Sequence, residues 1–244
     1  MRAAALYDKK GMLMIVEVRE KSGRKYVLLL NGEKYCKCYP GDLHALGVAE
    51  VSVGYETEVA ETVLAEVERT VFLPRAKRRS LMLLGKKEYT GREMKKKLSI
   101  DGYSETVVEA VLEWLEELRY VNDTSYAERY AFSLLSRHSE REILQKMQQK
   151  GFEKDVIKEA LTMAKERYRE ESVSLKEMDG VGGAEESFSI EQEAIRTFLR
   201  KKGYCSENAD EEKKKKLTMS LFRKGFSMSD IRAVLGECED EYGC

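Results

Sequence analysis

Apolar residues recur every three or four positions along most of the chain, the spacing of helices that bury one face. The pattern also repeats at long range. Residues 101–112 read DGYSETVVEAVL, residues 150–161 read KGFEKDVIKEAL, and residues 224–235 read KGFSMSDIRAVL. The three segments align without a gap on Gly102, Tyr103, Val108, Val111 and Leu112; on Gly151, Phe152, Ile157, Ala160 and Leu161; and on Gly225, Phe226, Ile231, Val234 and Leu235. Upstream the match continues at helical spacing through Met94 and Leu98, Ile143 and Met147, and Leu217 and Leu221. A helix ends well on a left-handed glycine, and the residue after it then packs back on the last turn. The expected pairs are Tyr103 on Leu98, Phe152 on Met147 and Phe226 on Leu221. Thr90 with Glu93, and Ser139 with Glu142, have the spacing of capping boxes, and Asp210 stands where the third copy needs an N-cap.

A further apolar helix precedes each pair, at roughly 75–87, 123–136 and 191–203. The unit is therefore three helices, written three times. So small a unit cannot cover its own apolar face, so neighbours should stack into an elongated, curved array. The expected fold is mainly α, with three tandem three-helix repeats at 74–121, 122–169 and 190–244. Residues 170–189 are acidic and rich in Gly and Ser, the composition of a flexible linker.

The first 73 residues follow a different pattern. Residues 12–38 alternate as β-strands, and Asn31-Gly32 between KYVLLL and EKYCKC is a strong hairpin signal. A short helix is expected at 42–46, stopped by Gly47, and a longer one at 57–71, with Pro74 marking the passage into the repeats. Residues 1–73 thus read as a small α+β extension, a β-hairpin plus helix, docked on the first repeat.

Composition agrees with a helical protein. Only two of 244 residues are proline, 42% are apolar and 36% are charged. Net charge is −1 but unevenly spread: residues 71–100 hold ten basic and two acidic side chains, and residues 101–120 hold six acidic and one basic. Separate faces of opposite sign bear on partners more than on fold. No uncharged apolar run approaches the ~20 residues of a bilayer span. The start of the chain meets Asp8, Lys9 and Lys10 too early for a signal-peptide core, so a cytoplasmic protein is expected. The five cysteines form no disulfide framework.

No catalytic constellation emerges. His44 and His138 lie far apart and read as surface or capping residues. Cys36 and Cys38 share one face of a strand without further zinc-spaced ligands, which favours partly buried thiols. Gly180-Val-Gly-Gly lacks the lysine of a phosphate loop. Glu113, Glu116 and Glu117 have no histidine companion, and Trp114 beside Leu115 and Leu118 reads as packing. Neither metal nor cofactor is expected, and enzyme activity is the least supported class. The basic clusters are the candidate partner surface. They comprise Arg75, Lys77, Arg78 and Arg79; Lys86 and Lys87; Arg92, Lys95, Lys96 and Lys97; and in the third repeat Lys213, Lys214, Lys215, Lys216, Arg223 and Lys224. Such rows are usually solvated helix faces, but at this density they can meet phosphates or an acidic protein.

Taken in order, the triple repeat with its KGF and GY endings, the turn Tyr120-Val-Asn-Asp-Thr-Ser-Tyr-Ala127 and the closing RKGFSMSDIRAVL at 223–235 resemble the RecX family, regulators of the bacterial recombinase RecA. The likeness covers 75–238 well and 12–73 loosely, the β-hairpin extension resembling that of Gram-positive members. It implies a monomeric regulator lying in the groove of the RecA filament on single-stranded DNA. Such a regulator limits filament growth, ATP hydrolysis, strand exchange and the coprotease activity behind the SOS response. Weak direct contact with DNA is compatible with this. Two other classes remain open: a helical-repeat protein that binds nucleic acid without RecA, and a scaffold for an unrelated protein.

Overall fold

The computed structural model describes residues 13–49, 51–178, 189–204 and 211–240. The chain divides into two compact units, Met1–Asn122 and Asp123–Cys244.

In the first unit, β1 (Leu13–Ser22), β2 (Lys25–Leu30), β3 (Glu33–Cys38) and β4 (Glu56–Ala60) form an antiparallel sheet in the order β3-β2-β1-β4. Asn31 at φ 51° and Gly32 at φ 85° make the tight turn between β2 and β3, the left-handed pair that a two-residue hairpin demands. Alternation along the strands buries Val16, Val18, Leu28, Cys36, Cys38 and Val59. Helix α1 (Pro40–Ala45) follows β3, and the chain leaves it through Gly47 at φ 79°.

Residues 57–71, expected as one helix, are not one. Their first part is strand β4, which pairs with β1 through Met14↔Val59 and Val16↔Thr57. The helix α2 begins only at Glu61 (Glu61–Val67). It continues without a break through a π-helical turn, Glu68–Phe72, into α3 (Leu73–Leu84). Pro74 therefore lies within a continuous helical run and does not interrupt it. Proline has no N–H to give to the preceding turn, and the wider turn just before it, with the Leu73 amide on the Glu68 carbonyl, absorbs the misfit. Helices α4 (Gly91–Asp101) and α5 (Glu105–Glu117) complete the first repeat. One core runs from the sheet into the helices, joining Leu28 and Cys36 to Phe72, Leu98 and Val111. The extension and the first repeat thus share an interior.

The second unit holds two further sets of three helices: α6 (Asp123–Leu135), α7 (Glu140–Lys150) and α8 (Lys154–Met178), then α9 (Ile190–Lys201), α10 (Glu211–Lys224) and α11 (Met228–Asp240). Their cores centre on Ile143, Met147 and Ile157, and on Ile195, Leu221 and Ile231.

The repeated sentence is a repeated helix ending. Gly102, Gly151 and Gly225 sit at φ 94°, 94° and 97°. The next amide in each case closes a Schellman loop: Tyr103 to Leu98 O at 3.2 Å, Phe152 to Met147 O at 3.3 Å, Phe226 to Leu221 O at 3.3 Å. Leu98, Met147 and Leu221 are fully buried. At the other end of the middle helix, the Thr90–Glu93 capping box closes in both directions. Ser139 accepts from the Glu142 amide at 3.2 Å, but the Glu142 carboxylate is held elsewhere, as described below. Asp210 lies outside the described residues.

Helix α8 runs beyond residue 170, where linker was expected, to Met178. Arg167 pairs with Glu171 one turn on, and Ser172 Oγ returns to the Tyr168 carbonyl, so the acidic stretch begins inside a stabilised helix. The glycine-rich part of that segment, 179–188, lies outside the described residues.

Candidate partner-binding surfaces

The sixteen basic side chains singled out in the sequence have different fates. Arg75 makes a bidentate pair with Asp42, Nη1–Oδ2 at 2.7 Å and Nη2–Oδ1 at 2.8 Å, and its guanidinium lies 5.1 Å over the Tyr39 ring. Arg79 Nε donates to Asp101 Oδ2 at 2.6 Å. Both tie α3 into the fold. Lys77 lies 4.5 Å over the Trp114 ring and Lys87 4.4 Å over Tyr89. Lys95 reaches Glu105 and Glu109 across to α5, each at 3.4 Å. In the third repeat Lys213 meets the Gly203 carbonyl, Lys216 pairs with Glu212, and Arg223 bonds back to the Met219 carbonyl. Lys214 is engaged as well. Exposed and without any partner among the described residues are Arg78, Lys86, Arg92, Lys96, Lys97 and Lys215. Arg92 and Lys96 stand one turn apart on α4, Arg78 is exposed on α3, and Lys86 lies in the turn just past the end of α3.

Lys224 is structural. Its Nζ pairs with Glu142 at 2.8 Å, and its own carbonyl, at the end of α10, accepts from Ser139 Oγ at the start of α7. His138 Nδ1 lies 3.1 Å from the other Glu142 oxygen. Burial alone would push the Glu142 carboxyl up. The hydrogen bonds from Lys224 and His138 outweigh that and hold it below the usual glutamate range. Nearby, Glu191 accepts from the Glu140 amide at 2.9 Å. Burial lifts the Glu191 carboxyl; the Glu140 amide pulls it down, but the Asp230 and Glu140 carboxylates push it up again, and it stays raised.

A second polar centre lies in the first unit. Glu68, on the π-helical turn, accepts from the hydroxyls of Tyr35, Ser104 (2.9 Å) and Thr106 (2.7 Å). One carboxylate thereby joins β3, the start of α5 and the helix between them. Sequence reading missed Asp42, Asp101 and Glu68, because each partner is 22 to 38 positions away.

The remaining candidates place as follows. Cys36 and Cys38 are buried, 4% and 0% exposed, deeper than the partial burial expected. Desolvation raises both thiols, Cys38 to about 12, so neither is a ready thiolate. His44 is exposed on α1. Trp114 packs against the first-repeat core, and Glu113, Glu116 and Glu117 face solvent. Among the described residues no cluster of His, Cys, Asp and Glu has the makings of a metal site. No helix among them is long and apolar enough to cross a membrane.

Sheet, three successive three-helix units and helix-end joints define a class: a tandem helical-repeat protein. Family models covering more than half of the chain match in the same order, the first three-helix domain of RecX at 76–115, the second at 122–161 and the third at 189–235. The chain belongs to the RecX family. It is 26% identical to the regulatory protein RecX of Clostridium tetani, over 79% of this chain and 88% of that one. It is 25% identical to that of Caldanaerobacter subterraneus, over 92% and 98%. A crystal structure of regulatory protein RecX, 20% identical, shares the fold at a TM-score of 0.50, with 93% of this chain and 100% of the other covered.

Proposed function

We propose that the chain regulates RecA by binding the RecA filament on single-stranded DNA in its helical groove, limiting filament growth, ATP hydrolysis, strand exchange and SOS coprotease activity. The observation that carries the reading is the ordered presence of all three RecX repeats in one chain. A filament offers the same surface at regular intervals. Tandem repeats present several weak contacts at once, and linking them raises the effective concentration of each. The partner-free cations Arg78, Lys86, Arg92, Lys96 and Lys97 are the contacts we assign to acidic recombinase surface or to the bound strand. Those same cations support a second reading, direct binding to nucleic acid without RecA.

The test is binding of labelled protein to preassembled RecA–single-stranded DNA filaments and to bare single strands at two salt concentrations, with ATP hydrolysis followed in the same samples. Tight filament binding with falling hydrolysis, and weak binding to bare DNA, is expected. Equal binding to bare DNA with a steep salt dependence selects the second reading. Binding to neither overturns both.

A further inference from the structure

The groove between the second and third helix of a repeat has a different lining in each copy. In the first, Lys95 spans it to Glu105 and Glu109. In the second, the equivalent positions are Leu144, Lys154 and Lys158, in a groove of about 380 Å³ where Lys165 pairs with Glu140. In the third they are Thr218, Met228 and Arg232, and the groove opens to about 490 Å³. Its floor is Met219, Met228, Ile231 and Leu235. Among the described residues its rim carries Lys214, Lys215 and Arg232 and the one carboxylate of Glu211.

A second difference lies on α10 itself. Lys96 and Ser99 of the first repeat, and Gln145 and Gln148 of the second, are exposed polar residues. Their counterparts in the third are Met219 and Phe222, which remain 56% and 53% exposed. Folding gains little from large apolar side chains left in water, and the two sister repeats manage without them. The cations beside them, Lys215 and Arg232, are exposed and have no partner among the described residues.

We infer that the α10–α11 groove is a docking site for an acidic, amphipathic segment of another protein. One or two of that segment's apolar side chains seat on Met219 and Met228, and its carboxylates meet Lys215 and Arg232. Methionine suits such a site because its unbranched thioether adapts to varied side chains. Charge complementarity sets the sign of the occupant. Among the described residues the groove itself is floored by methionine and aliphatic side chains, and the exposed Phe222 stands outside it, one turn from Met219 on α10; this apolar floor favours a peptide over a nucleic acid. The inference stands on the comparison of the three repeats and holds whatever the basic rows of the first repeat contact.

The test uses the full chain with ¹³C-methyl methionine, the Met219 and Met228 signals being identified with Met219→Leu and Met228→Leu. The probe is an acetylated peptide of roughly 14 residues, Glu and Ala with two Leu four positions apart, the spacing of a helix that lies in a groove. Saturable movement of both methyl signals is expected. The Lys-for-Glu counterpart should bind about tenfold more weakly, and Lys215→Glu with Arg232→Glu should weaken the acidic peptide at least about fivefold, with an unchanged melting temperature. Unmoved methyl signals, or equal binding by the charge-reversed protein, overturn the inference. So does an oligothymidylate that moves the same signals at lower concentration, which would make the groove a nucleic-acid site. Movement with protein concentration alone, together with a dimer in sedimentation, would make a second copy of the chain the occupant.

Discussion

Ser139 Oγ donates to the Lys224 carbonyl at 2.5 Å while accepting from the Glu142 amide at 3.2 Å. One hydroxyl thus caps the start of α7 and receives the end of α10. Positive and negative helix ends meet there, the favourable arrangement of two macrodipoles. Ser139→Ala removes the cap and leaves a carbonyl without its donor. A loss of about 1–2 kcal/mol in chemical denaturation is expected. An unchanged midpoint would mean that water replaces the hydroxyl at both bonds.

Gly225 should tolerate alanine less well than Gly203. Both are left-handed, at φ 97° and 59°. A Cβ on Gly225 would lie 2.9 Å from Arg141 and 3.3 Å from Ser139 Oγ, whereas one on Gly203 meets open space. Gly203→Ala carries only the backbone strain, about 1 kcal/mol. Gly225→Ala adds displacement of the α7 start. Thermal melts of the two variants, compared side by side, check the order.

Arg75 belongs to the fold more than to any partner. Asp42 is 5% exposed, and Arg75→Ala would strand its carboxylate without the guanidinium. A loss on the order of 3 kcal/mol is expected, with Arg75→Ala/Asp42→Asn recovering part of it. A double-mutant cycle in urea measures the coupling. By contrast, Lys96→Glu with Lys97→Glu should leave stability within about 0.5 kcal/mol, because both are exposed and partner-free. The same pair of changes should weaken filament binding if the first repeat makes the contact.

The second unit carries two carboxylates of opposite pH behaviour. Glu142 is held below its ordinary range, so its contribution is present at neutral pH and disappears as pH falls through the folded-state value. Glu191 is raised, so the folded state favours its protonated form. Its share of stability is present below the unfolded value and lost as pH rises through the folded one. Glu191→Gln keeps an oxygen for the Glu140 amide and removes the charge, so it should raise the melting temperature at pH 7 and change little at pH 4. Glu142→Gln should do the reverse, lowering it at pH 7 most. Melts across pH 4–8 read both signs.

The helix endings were legible in the sequence because they are local: a glycine, the ring after it and a leucine or methionine four before it settle a Schellman loop within six residues. Strand β4 was hidden for the opposite reason. Val59, Val63, Leu64 and Val67 keep a helical period straight across the junction at Ala60, with no glycine or proline to mark it. What makes Glu56–Ala60 a strand is its ladder to β1, 39 to 47 positions upstream. The basic rows were visible as charge, but their division into structural and free members was not. That division rests on Asp42 for Arg75, Asp101 for Arg79 and Glu142 for Lys224, separations of 33, 22 and 82 positions.

The joint between α7 and α10 has a direction. It needs a hydroxyl cap and a carboxylate on the receiving repeat, Ser139 and Glu142, and a lysine at the end of the arriving helix, Lys224. By the alignment of the repeats, the positions of Ser139 and Glu142 in the third copy are held by Lys213 and Lys216. Neither lysine supplies a hydroxyl or a carboxylate: Lys213 already lies within α10, which runs from Glu211, and Lys216 pairs with Glu212 of its own helix. The third copy thus carries the arriving half of the joint and not, at those two positions, the receiving half.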